Sequence, residues 1–263
     1  MFLLVTGASG AGKSTVRRAI ARELSPAIES VELSDVVNVP VVPNLAWRQQ
    51  ATEAVVERAL ELQAEGRHLL LCGDPVAAGE VLAAPSAVKL TAVAVCLLDV
   101  TPDAQTARLT DRGDDPRLVP HHHAFADWMR GHAHDPRHLP HVLTTHGWPA
   151  MRWDRWSGLD PADGGWEMHV IDTSVMTPEH AASAVLAWVR EALQTTAPVI
   201  HPGDLEAISR PPLGRARLRR PLESAHDGSR HLPGYLEQRR RSDVGVDERL
   251  LLVGRSDSPI GEI

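Results

Sequence analysis

Short unbroken apolar runs alternate along this chain with longer stretches whose apolar positions recur every three or four residues. Residues 2–6, 68–72 and 91–98 are continuous apolar runs, the pattern of strands buried on both faces. Residues 28–33 alternate less cleanly, with Ile28, Val31 and Leu33 set against Glu29, Ser30 and Glu32, and 167–171 reads as a fifth strand. Between them lie helical patterns. The first carries Val16, Ala19, Ile20 and Leu24 on one face. The strongest, 45–65, carries Ala51, Ala54, Val55, Leu60 and Leu62 and is closed by Gly66. Residues 102–110 and 178–193 follow, the latter with Pro178 in its first turn. Strands alternating with helices predict an α/β fold, a five-stranded parallel sheet flanked by helices on both faces.

Two segments break this rhythm. Residues 111–166 hold eight of the fourteen histidines and five of the seven tryptophans, with many prolines. A connection that long in a compact domain reads as a functional insert, here a lid. From 196 the composition turns to Pro, Gly and Arg with little periodicity, so 1–195 is expected as the folded domain and 196–263 as a disordered, flexible C-terminal tail with at most a short helix near 232–241.

The chemistry concentrates in Gly7-Ala8-Ser9-Gly10-Ala11-Gly12-Lys13-Ser14, a full match to G-x-x-x-x-G-K-[ST] placed between a strand and a helix. Glycines let such a loop wrap so that backbone N–H groups converge on a phosphate, and the following helix adds its positive N-terminus. Lys13 then reaches the β- and γ-phosphates and Ser14 holds Mg²⁺, with Thr15 beside it. Only Lys13 and Lys89 are lysines in an arginine-rich chain, which makes a lysine at this position more telling.

With this motif the sequence resembles the P-loop NTPases, and within them the small-molecule kinases: adenylate, shikimate and gluconate kinases and chloramphenicol phosphotransferase. The resemblance covers about 1–193 and implies ATP and Mg²⁺ as cofactors. It also implies further roles. Asp35, just past the second strand, stands where these kinases place an acid facing the acceptor, although it reads equally as a turn or cap aspartate. Arg48, opening the long helix, is similar to an acceptor-side arginine, or is simply a solvated one. Asp74 ends the run Leu69-Leu70-Leu71-Cys72-Gly73 like a Walker B acid that holds Mg²⁺ through water. Gly73 and Pro75 around it depart from the usual pattern and leave open whether it meets metal or acceptor. Arg108 and Arg112, with Arg117 beyond, resemble the arginines that open a kinase lid and stabilise charge during transfer. Thr173, in the loop after the last strand, stands where the family borders the adenine.

Composition removes several classes. A net charge of −7 and a pI near 6.0 argue against nucleic acid as partner, since binding phosphate backbones needs a basic face. No apolar run is long enough to span a membrane, and the first residues lack the charged region of a signal peptide, so a cytoplasmic protein is expected. Cys72 and Cys96 lie in apolar runs and read as reduced core thiols. His121, His122, His123, His132, His134, His138 and His141 lack accompanying cysteines and a zinc-type spacing, and read as lid surface or acceptor pocket rather than as metal ligands. Trp148, Trp153 and Trp156 read either as a stack for a planar ring or as anchors of the insert. The expectation is ATP-dependent phosphoryl transfer to a small-molecule acceptor: a nucleoside or nucleotide, a sugar acid, or an antibiotic-like hydroxyl compound. The alternative is an ATP- or GTP-binding regulatory NTPase, although the N-K-x-D base-reading motif of GTP switches is absent.

Overall fold

The computed structural model describes residues 1–163, 165–194 and 196–209. Its elements run β1 (Phe2–Thr6), α1 (Lys13–Leu24), β2 (Ile28–Val31), α2 (Leu33–Val36), α3 (Leu45–Ala64), β3 (His68–Cys72), α4 (Ala78–Ala83), β4 (Val93–Asp99), α5 (Pro102–Arg112), α6 (Val119–His134), α7 (His141–Thr144), β5 (His169–Asp172), α8 (Pro178–Leu193) and α9 (Pro202–Ser209). The strands form one parallel sheet in the order β2-β3-β1-β4-β5, so β1 is central and pairs with both β3 and β4.

Alternation along β1 divides the core. Leu3 and Val5 face α1 and α8, packing with Val16, Ile20, Val185 and Trp188. Phe2 and Leu4 face the other layer, with Val55, Val56 and Leu62 of α3 and Leu82 of α4. The helix ends follow local rules. Asn44 caps α3 by accepting from Trp47 N at 2.8 Å, Thr177 caps α8, and Gly66 and Gly113 take the left-handed φ that stops α3 and α5. Cys72 and Cys96 are free, buried thiols, and burial raises the Cys72 thiol to about 12.

Residues 111–166 are not a lid set apart from the fold. Phe125, Trp128 and Met129 of α6, with Leu143, Met151, Trp156 and Trp166, are buried in the same cluster as α3 and α4. Aromatic area on this scale is too apolar to leave in water. The indole N–H groups find carbonyls: Trp156 on Gly79 O at 2.8 Å and Trp166 on His132 O at 2.8 Å. Arg155, 2% exposed, donates to the carbonyls of Leu82 and Ala84 and so caps the end of α4. Trp156 is thus a core residue, and Trp148 and Trp153 pack half-buried against the same core, which answers the ring-stacking alternative in favour of anchoring.

The folded region also extends past residue 195. Ile200 exchanges two hydrogen bonds of 2.8 Å with Val93, and Ala197, Ile200 and Leu205 are buried. The expected tail boundary at 196 is therefore too early: Val93, at the edge of the β4 ladder, supplies the backbone partners that order this stretch. Residues 210–263, with the helix expected near 232–241, lie outside the described residues. Leu205→Ala should lower unfolding free energy by roughly 2 to 4 kcal/mol, the usual cost of such a core truncation, in a urea melt. A segment without native packing would give almost no change.

His132 sits in an aromatic box, stacked on Trp128 at 5.0 Å and edge-on to Trp156 and Trp166. Burial lowers its pKa to about 4, with His138 adding to the shift and Asp135 opposing it. A histidine that resists protonation when folded makes the unfolded chain the better proton binder between about pH 6.5 and 4. Stability is therefore full above that window and lost as pH falls through it, by about 3 kcal/mol at most. Denaturant midpoints measured from pH 7 to pH 4 should fall less steeply in His132→Phe than in the native chain.

Candidate active site

The loop between β1 and α1 owes its shape to three glycines with positive φ: Gly7 at 148°, Gly10 at 83° and Gly12 at 98°. A Cβ on Gly7 would stand 2.4 Å from the Leu98 carbonyl oxygen, so any side chain there would push the loop off β4. Gly12 opens α1 without a side-chain cap, which leaves the first-turn amides to whatever enters the pocket beyond. Lys13 is 6% exposed and donates to Gly7 O at 2.7 Å and Ala8 O at 2.9 Å. Desolvation brings its pKa down to about 8, against the opposing pull of Asp74 and Glu32.

A cavity of about 410 Å³ lies over this loop, lined by Ser9, Gly10, Ala11, Gly12, Lys13, Ser14 and Thr15. Its other walls come from α5, from α6 and from the loop joining β5 to α8. Arg108 donates to Gly10 O at 3.1 Å and Thr173 Oγ1 at 3.0 Å, tying the loop to the end of β5. Thr173 is itself buried and donates to Ala11 O at 3.1 Å. Arg112 donates to Ser9 Oγ at 2.7 Å and pairs with Asp114. Lys13, Ser14, Thr15, Arg108, Arg112 and Thr173 therefore meet at one pocket. Gly7 and Ala8 stand behind it and hold Lys13.

Other expected residues go elsewhere. Arg48 is 2% exposed and forms two hydrogen bonds, 2.9 and 2.8 Å, to Oε1 of the fully buried Glu80, joining α3 to α4. It is neither solvated nor in the pocket, because a buried guanidinium needs a carboxylate and Glu80 provides it. Asp35 is the N3 residue of α2: its carboxylate accepts from Glu32 N at 2.9 Å and is held by Arg17. The capping reading explains it, and it does not line the cavity. Arg117 is 89% exposed and pairs with Asp115. Asp74 sits past β3 and accepts from Leu33 N at 2.6 Å, close enough to Lys13 to raise its proton affinity.

Several pocket residues were not singled out in the sequence, and His122 was read there only as one of seven histidines of a lid surface or acceptor pocket. His122 and Phe125 of α6 line the cavity with Gly73, Pro75 and Met176. Of the three consecutive histidines, His122 alone is fully buried. It shares the helix face of Phe125, Ala126 and Met129 at i+3, i+4 and i+7, a spacing that would have singled it out. Glu32 was likewise passed over. It pairs with Arg17 at 3.5 Å, and a Cβ on Gly73 would stand 2.5 Å from its carboxylate, so Gly73 makes room for an acid beside the loop. Among the described residues, no group of three or more His, Cys, Asp or Glu side chains is arranged to hold a metal ion.

No protein-family model matches the chain, and no curated protein matches it. The solved structures it is similar to include a sugar kinase from Janibacter, at 16% identity over 75% of this chain and 98% of that one, with a TM-score of 0.41. A protein from Chloroflexus aurantiacus described as a candidate kinase gives 16% identity, coverage of 74% and 97%, and a TM-score of 0.39. A chain of the Pnkp1/Rnl/Hen1 RNA repair complex gives 15% identity and a TM-score of 0.39; 49% of this chain aligns, spanning 45% of that one's length.

The Arg48–Glu80 pair is open to a direct measurement. Removing one partner leaves the other charge buried, so Glu80→Ala should destabilise the fold by about 3 to 5 kcal/mol in a denaturant melt. An acceptor-binding role for Arg48 would instead leave stability of that variant nearly unchanged.

Proposed function

We propose that this protein is an ATP-dependent phosphotransferase of the P-loop type that acts on a small-molecule acceptor. The observation that carries the reading is the convergence of a complete G-x-x-x-x-G-K-S loop, its buried lysine and two α5 arginines on one cavity. The first-turn amides of α1 and the loop amides suit the β-phosphate. Lys13 donates to two carbonyls that an incoming phosphate oxygen would replace, exchanging bonds to a neutral acceptor for bonds in which both partners are charged. Arg112 lies where charge develops on a transferring γ-phosphoryl group, and Arg108 holds the wall that faces it. Thr173 and the β5–α8 loop suit the nucleoside end.

The residues present fit Mg²⁺. Ser14 offers a hydroxyl at the pocket and Asp74 a carboxylate near Lys13, hard oxygen donors of the kind Mg²⁺ takes alongside phosphates and water. When bound, the ion would neutralise charge shared by the β- and γ-oxygens. The acidic balance of the chain suits a small acceptor rather than a nucleic acid, and we place the reaction in the cytoplasm, where buried thiols such as Cys72 and Cys96 stay reduced. No helix among the described residues is long and apolar enough to cross a membrane.

One observation favours a second reading, a nucleotide-binding regulator. Neither Asp35 nor Arg48, the residues expected on the acceptor side, lines the cavity. An acceptor screen over nucleosides, sugars, sugar acids and antibiotics, read by ADP release, separates the two, because a regulator's turnover responds to none of them. In either case Lys13→Ala should keep the melting temperature within a few degrees and lower ATP turnover by at least about a hundredfold, the scale of a lost transition-state charge contact. A folded variant with native turnover would remove the loop from the chemistry.

A further inference from the structure

The α6 wall of the cavity carries a group that the nucleotide reading does not use. His122 lines the pocket at 2% exposure, and among the described residues its Nε2 has no hydrogen-bond partner. Burying a polar nitrogen without a partner costs stability, so such a group asks for a reason beyond folding. Asp114 Oδ2 stands 4.0 Å from that Nε2, in range of its charge but beyond a hydrogen bond. Arg112 holds Asp114 instead, while donating to Ser9 of the loop. Ser9, Arg112, Asp114 and His122 thus form a line from the phosphate loop to α6.

Resting on the phosphotransferase reading, we propose that His122 takes the acceptor's proton, and that nucleotide binding switches it on through Arg112 and Asp114. A γ-phosphate competes for the Arg112 guanidinium, since phosphate accepts the same charge-assisted bonds as a carboxylate. Asp114 then turns to Nε2–H of His122, which fixes the tautomer, leaves Nδ1 as the accepting nitrogen and favours the protonated ring. The acceptor O–H bond breaks with its proton passing to Nδ1, and the acceptor oxygen bonds to the γ-phosphorus. The bond from that phosphorus to the bridging oxygen breaks, its electron pair leaving on ADP. The imidazolium rests against Asp114 until its proton passes to water.

The free protein shows the switch in its off position. Burial holds His122 below the usual histidine range, Arg112, His121 and His123 push the same way, and Asp114 opposes them. Asp114 itself is held below the usual carboxylate range, first by its hydrogen bond from Arg112. Catalytic contacts that are long in a free enzyme commonly tighten when the complex forms.

The experiment is a proton-NMR pH titration of the histidine rings in the full chain, with His122 identified as the signal lost in His122→Asn. Its midpoint should rise when Mg·AMPPNP is saturating. Asp114→Asn should bind the analogue and show no such rise. Arg112→Ala should show the raised midpoint with no nucleotide present, because Asp114 has lost its other partner. ADP release from Mg·ATP, with water as acceptor, should fall about a hundredfold in His122→Asn, the usual scale for general-base loss. A midpoint that stays put at saturation overturns the proposal while leaving the nucleotide reading intact. An equal rise in Asp114→Asn, or a low midpoint in Arg112→Ala, overturns it too, by taking Asp114 out of the line. If neither Mg·AMPPNP nor Mg·GMPPNP binds, the phosphotransferase reading falls and this proposal falls with it.

Discussion

The contact on which the site depends is the meeting of two backbones at Gly7 and Leu98. β1 and β4 pair in parallel as far as Thr6 opposite Leu97, and one residue later the chain must leave the sheet without clearing β4. A Cβ at position 7 would stand 2.4 Å from the Leu98 carbonyl, far inside contact distance. Only glycine allows the turn to start there with φ at 148°. Everything above inherits that placement: the Gly7 and Ala8 carbonyls that receive Lys13, the left-handed Gly12 that opens α1, and the reach of Arg108 from α5 to Gly10 O. A central strand pairing on both sides makes the sheet a rigid base for a loop that satisfies few of its own amides.

The second constraint comes from the opposite side of the cavity. α6 carries the His122 and Phe125 wall, and its position is set by tryptophans several residues further along the helix and chain. Trp128 donates to Leu139 O at 3.2 Å, Trp156 to Gly79 O and Trp166 to His132 O, so each bulky ring is fixed by apolar contact and by one directional bond. Gly79 is small for the same reason, since a Cβ there would lie 2.8 Å from both His132 and Trp156. A wall built this way cannot swing open as a loop does. What remains adjustable is the side-chain line from Ser9 to His122, where ion pairs can exchange without moving a helix.

Much of the fold was legible because the central strands are unbroken apolar runs and α3 and α8 are long and periodic. The site was most legible where chemistry and local backbone coincide, at residues 7–15, where glycine, lysine and serine each have one use in one short turn; Arg108, Arg112 and Thr173, expected only from the resemblance, also line the pocket. Asp35 and Arg48 misled because type and position along the chain do not say which way a side chain points. Asp35 follows its helix start into a capping box, and Arg48 follows its helix face inward to Glu80. Glu80 sits 32 residues away, and no local pattern announces a buried pair at that separation. The segment 111–166 hid its role differently. Its five tryptophans were visible and α6 carries a periodic face at His122, Phe125, Ala126 and Met129, but the prolines and short turns on either side break the pattern into pieces, so a core layer read as an insert.

Under the proposed nucleotide reading, these features bear together on how the pocket would take a phosphate. Three cations around the loop are already satisfied: Lys13 by two carbonyls, Arg108 by Gly10 and Thr173, Arg112 by Ser9 and Asp114. Such bonds keep buried charge tolerable without an anion and hold the side chains at the pocket. An entering phosphate would displace them, giving back about 1.5–3 kcal/mol for each bond that a charged donor makes to a neutral oxygen and gaining more from bonds in which both partners are charged. The exchange favours an anion and nothing else, since a neutral ligand offers no such difference. The same arithmetic explains why Asp114 matters. It is the one internal partner in this set that carries full charge, so displacing it leaves a carboxylate 4.0 Å from an imidazole that has waited without one.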